Sequence, residues 1–237
     1  MSRLAALLFM CALIIDVAPA APPDAERLLE EVRSKYAALD SYADTGTVTI
    51  EEKPVGATMI REQLTFVTRF AAPKQFYFDA KKSGGERFVI WCPGDSFNSW
   101  WSATQVHESY APGEGSNAFA MGALPTSSAA LLIAPLLFQS AGLQGPLVTM
   151  EAPRHLGFEV LNGRRMHKIQ GSVRVNHWNE NVRSTTLWID AESLLVRRIF
   201  EDTPSGMGSA IQRTTTTFEP QSAPTLTPNA FRFAVPK

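Results

Sequence analysis

The sequence predicts a mainly β fold of the α+β kind: a curved antiparallel sheet with an N-terminal helix and a central helical lid. Three observations predict it. One stretch near the start has helical periodicity, period-two alternation runs through most of the remaining chain, and a single apolar, Pro-containing segment interrupts it midway. At 237 residues, 45% hydrophobic and 19% charged, the composition is globular and supports a core of ordinary size. A net charge of -1 supplies no positive field for nucleic acid.

The first twenty residues read as a signal peptide. Arg3 is the positive region, Leu4 to Ile15 is an apolar run, and Ala18-Pro19-Ala20 offers small residues for cleavage near Ala20. The run is well short of the ~20 residues that a membrane span needs. Leu8-Phe9-Met10 before Cys11 lacks the small residues of a lipoprotein signal. Residues 21–237 are therefore expected as a single exported, periplasmic domain with no transmembrane span. Only Cys92 remains in it, so no intramolecular disulfide is available. Between Trp91 and Pro93-Gly94, that cysteine reads as a small buried hydrophobe.

Pro22-Pro23-Asp24 starts a helix, with Asp24 as cap and Glu26 in the first turn. Leu28, Val32, Tyr36 and Leu39 give it one apolar face, and Glu31 and Lys35 are spaced for an exposed pair. It ends near Asp40-Ser41. Strands follow. Val48 and Ile50 alternate with Thr47 and Thr49, and Ile60, Leu64, Phe66 and Phe70 share a face opposite Arg61, Gln63, Thr65 and Arg69. Phe76 and Phe78 continue, Phe88 to Trp91 is apolar on both faces, and Pro/Gly turns punctuate the runs as in a meander.

From Ala111 to Gly145 the chain is rich in Gly, Ala, Ser and Pro, and then holds the apolar run Ala129 to Phe138. Thr126 or Ser127 can cap a short helix, and Pro135 kinks it or starts another. Afterwards Phe158 to Leu161, Asn162-Gly163 and Arg164 to Ile169 give the strongest hairpin signal in the chain. Thr185 to Asp190 pairs with Leu194 to Glu201, and Ile211 to Phe218 and Phe231 to Phe233 are expected to finish the sheet.

Positive signs of catalysis are missing, and no catalytic, metal-binding or cofactor residues are assigned. His107, His155, His167 and His177 have no ligand-like spacing. Gly94-Asp95-Ser96 lacks the second glycine of a nucleophile elbow. Arg164-Arg165 and Arg197-Arg198 split across the two faces of their strands, where a solvated outer face is the default. An arginine pointing inward among apolar residues would hold a ligand's carbonyl or phosphate.

Several segments together resemble the LolA-like family, periplasmic lipoprotein carriers and related proteins. These are the leading helix with Tyr42-Ala43-Asp44-Thr45-Gly46, then Phe70-Ala71-Ala72-Pro73-Lys74-Gln75-Phe76, and Phe88-Val89-Ile90-Trp91 with Gly94-Asp95. Thr186 to Asp190 with Val196-Arg197-Arg198, and Phe231 to Pro236, extend the resemblance over most of the chain. It implies an incomplete β-barrel closed by helices over an apolar cavity for acyl chains. One position departs: the carriers have Arg directly before that Pro, and Ala72 stands here.

The expected function is accordingly a carrier of a lipid, acyl chain or lipoprotein. Phe66, Phe88, Trp91, Trp100 and Trp101 are expected as cavity walls and Leu131, Leu132, Leu136, Leu137 and Phe138 as lid. The rival is a non-catalytic module with a self-filled barrel that docks an envelope protein.

Overall fold

A computed structural model describes residues 24–53, 56, 58–138, 143, 145–176, 179–204 and 211–236. The expected leader and His177 lie outside the described residues. Helix α1 spans Ala25–Ala37, and the Glu26 amide donates to Asp24 Oδ1 at 3.0 Å, satisfying one orphan donor of the first turn. Leu28, Leu29, Val32 and Tyr36 bury its apolar side. Glu31 pairs one turn back, with Arg27 at 3.1 Å, where the reading from sequence paired it with Lys35.

The strands are β1 (Ser41–Lys53), β2 (Ile60–Ala71), β3 (Gln75–Lys82), β4 (Arg87–Cys92), β5 (Phe97–Trp101) and β6 (Val106–Tyr110). After the central segment come β7 (Glu151–Leu161), β8 (Arg164–Asn176), β9 (Asn179–Asp190), β10 (Val196–Pro204), β11 (Ile211–Phe218) and β12 (Gln221–Ser222). They form one sheet in the order β6-β5-β4-β3-β2-β1-β11-β10-β9-β8-β7, with β12 beside β1. Two antiparallel meanders are thus joined through β1 and β11. The expected hairpins across Asn162-Gly163 and across residues 191–193 are both present. Edges β6 and β7 are not paired to one another, so the sheet is open. Between them run α2 (Gly115–Ala123), a 3-10 turn (Ala129–Leu131), α3 (Ala134–Leu137) and α4 (Pro146–Thr149).

Alternation assigns the faces. Val48, Leu64, Phe66, Phe78, Phe88, Ile90, Ile169, Leu187, Ile199 and Phe218 are buried in one cluster with residues of α1 and of the central helices. A single cluster fed by strands from β1 to β11 requires the sheet to curl around it. Gly46 permits the tightest contact in this core. A Cβ there would stand 2.2 Å from the Phe66 ring and 2.5 Å from the Thr217 carbonyl. Phe66 lies across that gap, stacked on Phe78 at 5.7 Å and edge-on to Phe218 at 5.7 Å.

The C-terminal segment corrects the sequence reading. Phe231 to Phe233 adds no strand: Pro228–Phe231 is a 3-10 turn, and residues 232–236 join no strand of the sheet. The segment lies flat on the outer face, where Phe231 is buried with Tyr77, Val89, Trp91 and Trp100. Strands β2 to β5 already have a neighbour on each side, so the chain can only stack on their face. Arg69 Nη1 donates to the Ala230 carbonyl at 3.3 Å and helps to hold it.

Gly46→Ala forces the Phe66 ring out of its place between β1 and β11. Overpacking of this kind costs roughly 1–3 kcal/mol, read as a lower urea midpoint with unchanged m-value; a midpoint equal to wild type would refute the close packing described here.

Candidate functional site: the inner face and its helical cover

The central helices are short and depend on what they cover. Helices α3 and α4 have four residues each, too few to persist without tertiary packing. Thr126 Oγ1 donates to the Gly122 carbonyl at 2.5 Å and accepts from the Ala130 amide at 3.3 Å, linking α2 to the 3-10 turn. Pro135 stands in the first turn of α3, where its missing N–H leaves nothing unpaired. Below them, Phe70, Phe76, Phe97, Phe119 and Phe138 form one aromatic cluster. Phe138 meets Phe70, Phe76 and Phe97 edge-on at 5.2, 5.4 and 5.6 Å.

The structure gathers eight of the ten expected residues on this face. Phe66, Phe88, Leu132, Leu136 and Leu137 are buried in the inner core, while Leu131, Phe138 and Trp101 pack against it partly exposed. Trp91 and Trp100 belong to the other side. They are buried in the outer cluster, against Phe233 at 5.1 and 5.5 Å. The cause is strand parity: Phe88 and Ile90 point inward, so Val89 and Trp91 point outward. Phe70, Phe76, Phe97 and Phe119, central to the cluster, were not among the expected wall or lid residues. Strand alternation on β2, β3 and β5 carried the signal for the first three, whereas Phe119 stands on α2.

Polar groups interrupt the inner face at two places. Beneath α1, Tyr42 donates to Asp44 Oδ2 at 2.6 Å, and the Val196 amide donates to Tyr36 Oη at 3.1 Å. Burial of Asp44 raises its pKa to about 6, against lowering contributions from its hydrogen bonds to Tyr42 and Thr68. Burial likewise pushes both tyrosines up. The second place lies on β9 and β10. Arg183 Nη1 pairs with Glu201 Oε1 at 3.5 Å, and Thr185 is fully buried beside them. Burial raises the Glu201 pKa, opposed by Arg183. These are the inward-pointing arginine and its partners that the sequence did not locate.

Arg164 and Arg197 both pair with the buried carboxylate of Asp190, at 3.3 and 3.6 Å, and Arg198 lies over the Trp188 ring at 5.3 Å. Cys92 is buried, with its thiol held up by desolvation. His155 and His167 meet across the β7–β8 hairpin at 3.1 Å. Among the described residues, no group of three His, Cys, Asp or Glu could hold a metal ion. An opening of about 320 Å³ lies at the rim of the inner face, floored by Ile50 and Leu64 and edged by Glu62, Lys82 and Glu86. A broader groove of about 870 Å³ on the outer face is lined by Thr47, Thr65, Asp79, Arg87 and Trp100.

No family model and no curated protein matches the chain. Solved structures do. LprF from Mycobacterium bovis aligns over 90% of this chain and 100% of its own, at 14% identity and TM-score 0.49. Lipoprotein LppX of Mycobacterium tuberculosis aligns over 82% and 95%, at 17% identity and TM-score 0.41. A LolA superfamily protein from Nitrosomonas europaea aligns over 90% and 99%, at 8% identity and TM-score 0.34. The likeness is one of fold. The superfamily that the sequence resembles is among the matched structures.

Asp44 sets a pH dependence. With a folded pKa of about 6 against 3.8, the folded state holds its proton more tightly, so the contribution of Asp44 to stability is greatest below pH 3.8 and is lost as pH rises through about 6. The loss attributable to Asp44 is at most about 3 kcal/mol, at ~1.4 kcal/mol per pH unit. Asp44→Asn should flatten the stability profile between pH 4 and 6.5 in urea titrations. An unchanged slope would show that Asp44 is not the group responsible.

Proposed function

We propose that this protein is a non-catalytic periplasmic carrier that holds an acyl chain of a lipid or lipoprotein between the inner sheet face and the helical cover. One observation carries the reading: an open sheet has its apolar face closed by α1, α2 and the single-turn helices α3 and α4, rather than by pairing of its own edges. Helices this short, held by packing and by the hydrogen bond from Arg33 Nε to the Leu147 carbonyl, can exchange their apolar contacts for those of a ligand. Each buried methylene contributes about 0.8 kcal/mol, and a guest chain competes with Leu132, Leu136 and Phe138 for the same surface. Release then follows from re-closure of the cover, a shift between two packings of one core. The rim opening above Ile50 and Leu64 supports an entry route from the side of β2 and β3. In this reading, Phe66, Phe88, Trp101 and the Phe70–Phe138 cluster form the walls, with residues 131–138 as lid. Trp91 and Trp100 take no part.

The second reading, an envelope protein-docking module with a self-filled barrel, is favoured by the aromatic cluster that already occupies the inner space. Val106 on β6, Met121 on α2 and Leu124 just after α2 are 48%, 48% and 82% exposed and would supply its contact surface.

Native mass spectrometry with lipid extraction, on mature protein purified from the periplasm, separates the two. Acyl-containing mass that co-purifies, and falls at least about tenfold in Leu132→Asp and in the milder Phe138→Ser, supports the carrier. The melting midpoint is measured alongside, because Leu132 is a core residue. A clean apo mass that ignores added lipids overturns the carrier and leaves the docking module.

A further inference from the structure

A row of side chains crosses the inner face at one height. Strand register places Gly171 opposite Thr185, Thr185 opposite Glu201, Glu201 opposite Thr214, and Thr214 opposite Ile50. At its far end Ile50 floors the rim opening. Thr185, Glu201 and Thr214 make the middle of the row polar, away from the Asp44 site beneath α1, and the hydrogen bonding beside it is incomplete. Thr185 is fully buried, yet its hydroxyl has no partner among the described residues, and neither has Nε of Arg183. Buried donors are almost always paired, and each exception calls for a reason. A buried ion pair is likewise costly unless its remaining hydrogen-bonding groups are satisfied.

At the other end of the row is a plugged notch. Gly171 has no side chain, and Met150 fills the space: a Cβ on Gly171 would stand 2.5 Å from Met150 Cγ and 2.8 Å from its sulfur. Met150 follows directly on α4, the last piece of the cover. Its flexible, unbranched side chain is suited to leaving and re-entering such a gap. Movement of α4 would uncover the notch beside the two unpaired donors.

We propose that Arg183 and Thr185 form a polar seat for the ester carbonyl at the head of an acyl chain, with Met150 as its removable plug. The seat rests on the carrier reading and adds the ligand's head group to it. Both unpaired groups can donate, so they take an oxygen acceptor. Glu201 already balances the charge of Arg183, so a second carboxylate or a phosphate would meet a negative neighbour, whereas an uncharged carbonyl does not. The hydrocarbon tail would run from the seat beneath the lid.

The test is competition by methyl laurate, laurate and dodecane for a pyrene-labelled dodecyl probe bound to the mature protein. Wild type is expected to prefer the ester over both others. Thr185→Val keeps the volume and removes only an unpartnered hydroxyl. It should leave the melting midpoint and the dodecane affinity unchanged while lowering the ester preference by roughly tenfold. Met150→Ala should raise ester affinity. Full ester preference in Thr185→Val, or a preference for laurate in wild type, overturns the seat and leaves the carrier standing. Failure of wild type to bind the probe or any of the three compounds overturns both.

Discussion

Eight residue pairs between β1 and β11, from Gly46–Phe218 to Lys53–Ile211, turn two meanders into one sheet. Each meander is local, its strands following one another through short turns, and neither closes its own core. The β1–β11 ladder brings together segments about 170 residues apart and carries the loop-closure entropy of the fold. Its side chains suit the task. Thr214, Thr215, Thr216 and Thr217 line β11 against Val48, Thr49 and Ile50 of β1, β-branched residues that favour a pleated surface. The absence of a side chain at Gly46 lets Phe66 straddle the joint.

What the sequence revealed was local. Helix α1, the β7–β8 and β9–β10 hairpins and the alternation in β1 to β3 follow from spacing and turn residues. Two kinds of information were not local. The β1–β11 pairing and the stacking of Phe231 and Phe233 on the outer face depend on which edges are already occupied. Face assignment fails where parity slips. A bulge between Val196 and Arg198 lets Val196 and Ile199 both point inward, so counting by twos from Val196 turns Glu201 to solvent. The structure buries it beside Arg183. For Trp91 and Trp100 no bulge intervened; the alternation from Phe88 already placed Trp91 outward, and grouping the aromatics by nearness in sequence hid it.

The inner face balances two demands. Apolar residues stabilise the curled sheet, and Phe138 with its neighbours fills the space between the sheet and its cover. Against this stand Asp44 beneath α1 and the Arg183–Glu201 pair, polar groups whose burial costs stability. They occupy different regions. Asp44 sits with Tyr36 and Tyr42 where α1 meets the start of β10, while Thr185 and Glu201 lie in the row that reaches the rim, with Arg183 two residues from Thr185 on β9.

The chain leaves the sheet at one free edge, β6, and rejoins it at the other, β7, with α2, α3 and α4 of the cover in between. The cover is therefore a strap fastened at both margins, unlike a flap hinged on one side. Any outward movement of α3 and α4 pulls on both margins together, and spreading the margins relaxes the strap. In the carrier reading, a guest that lifts the strap therefore pulls on β6 and β7, the two margins of the sheet, and not on a single hinge.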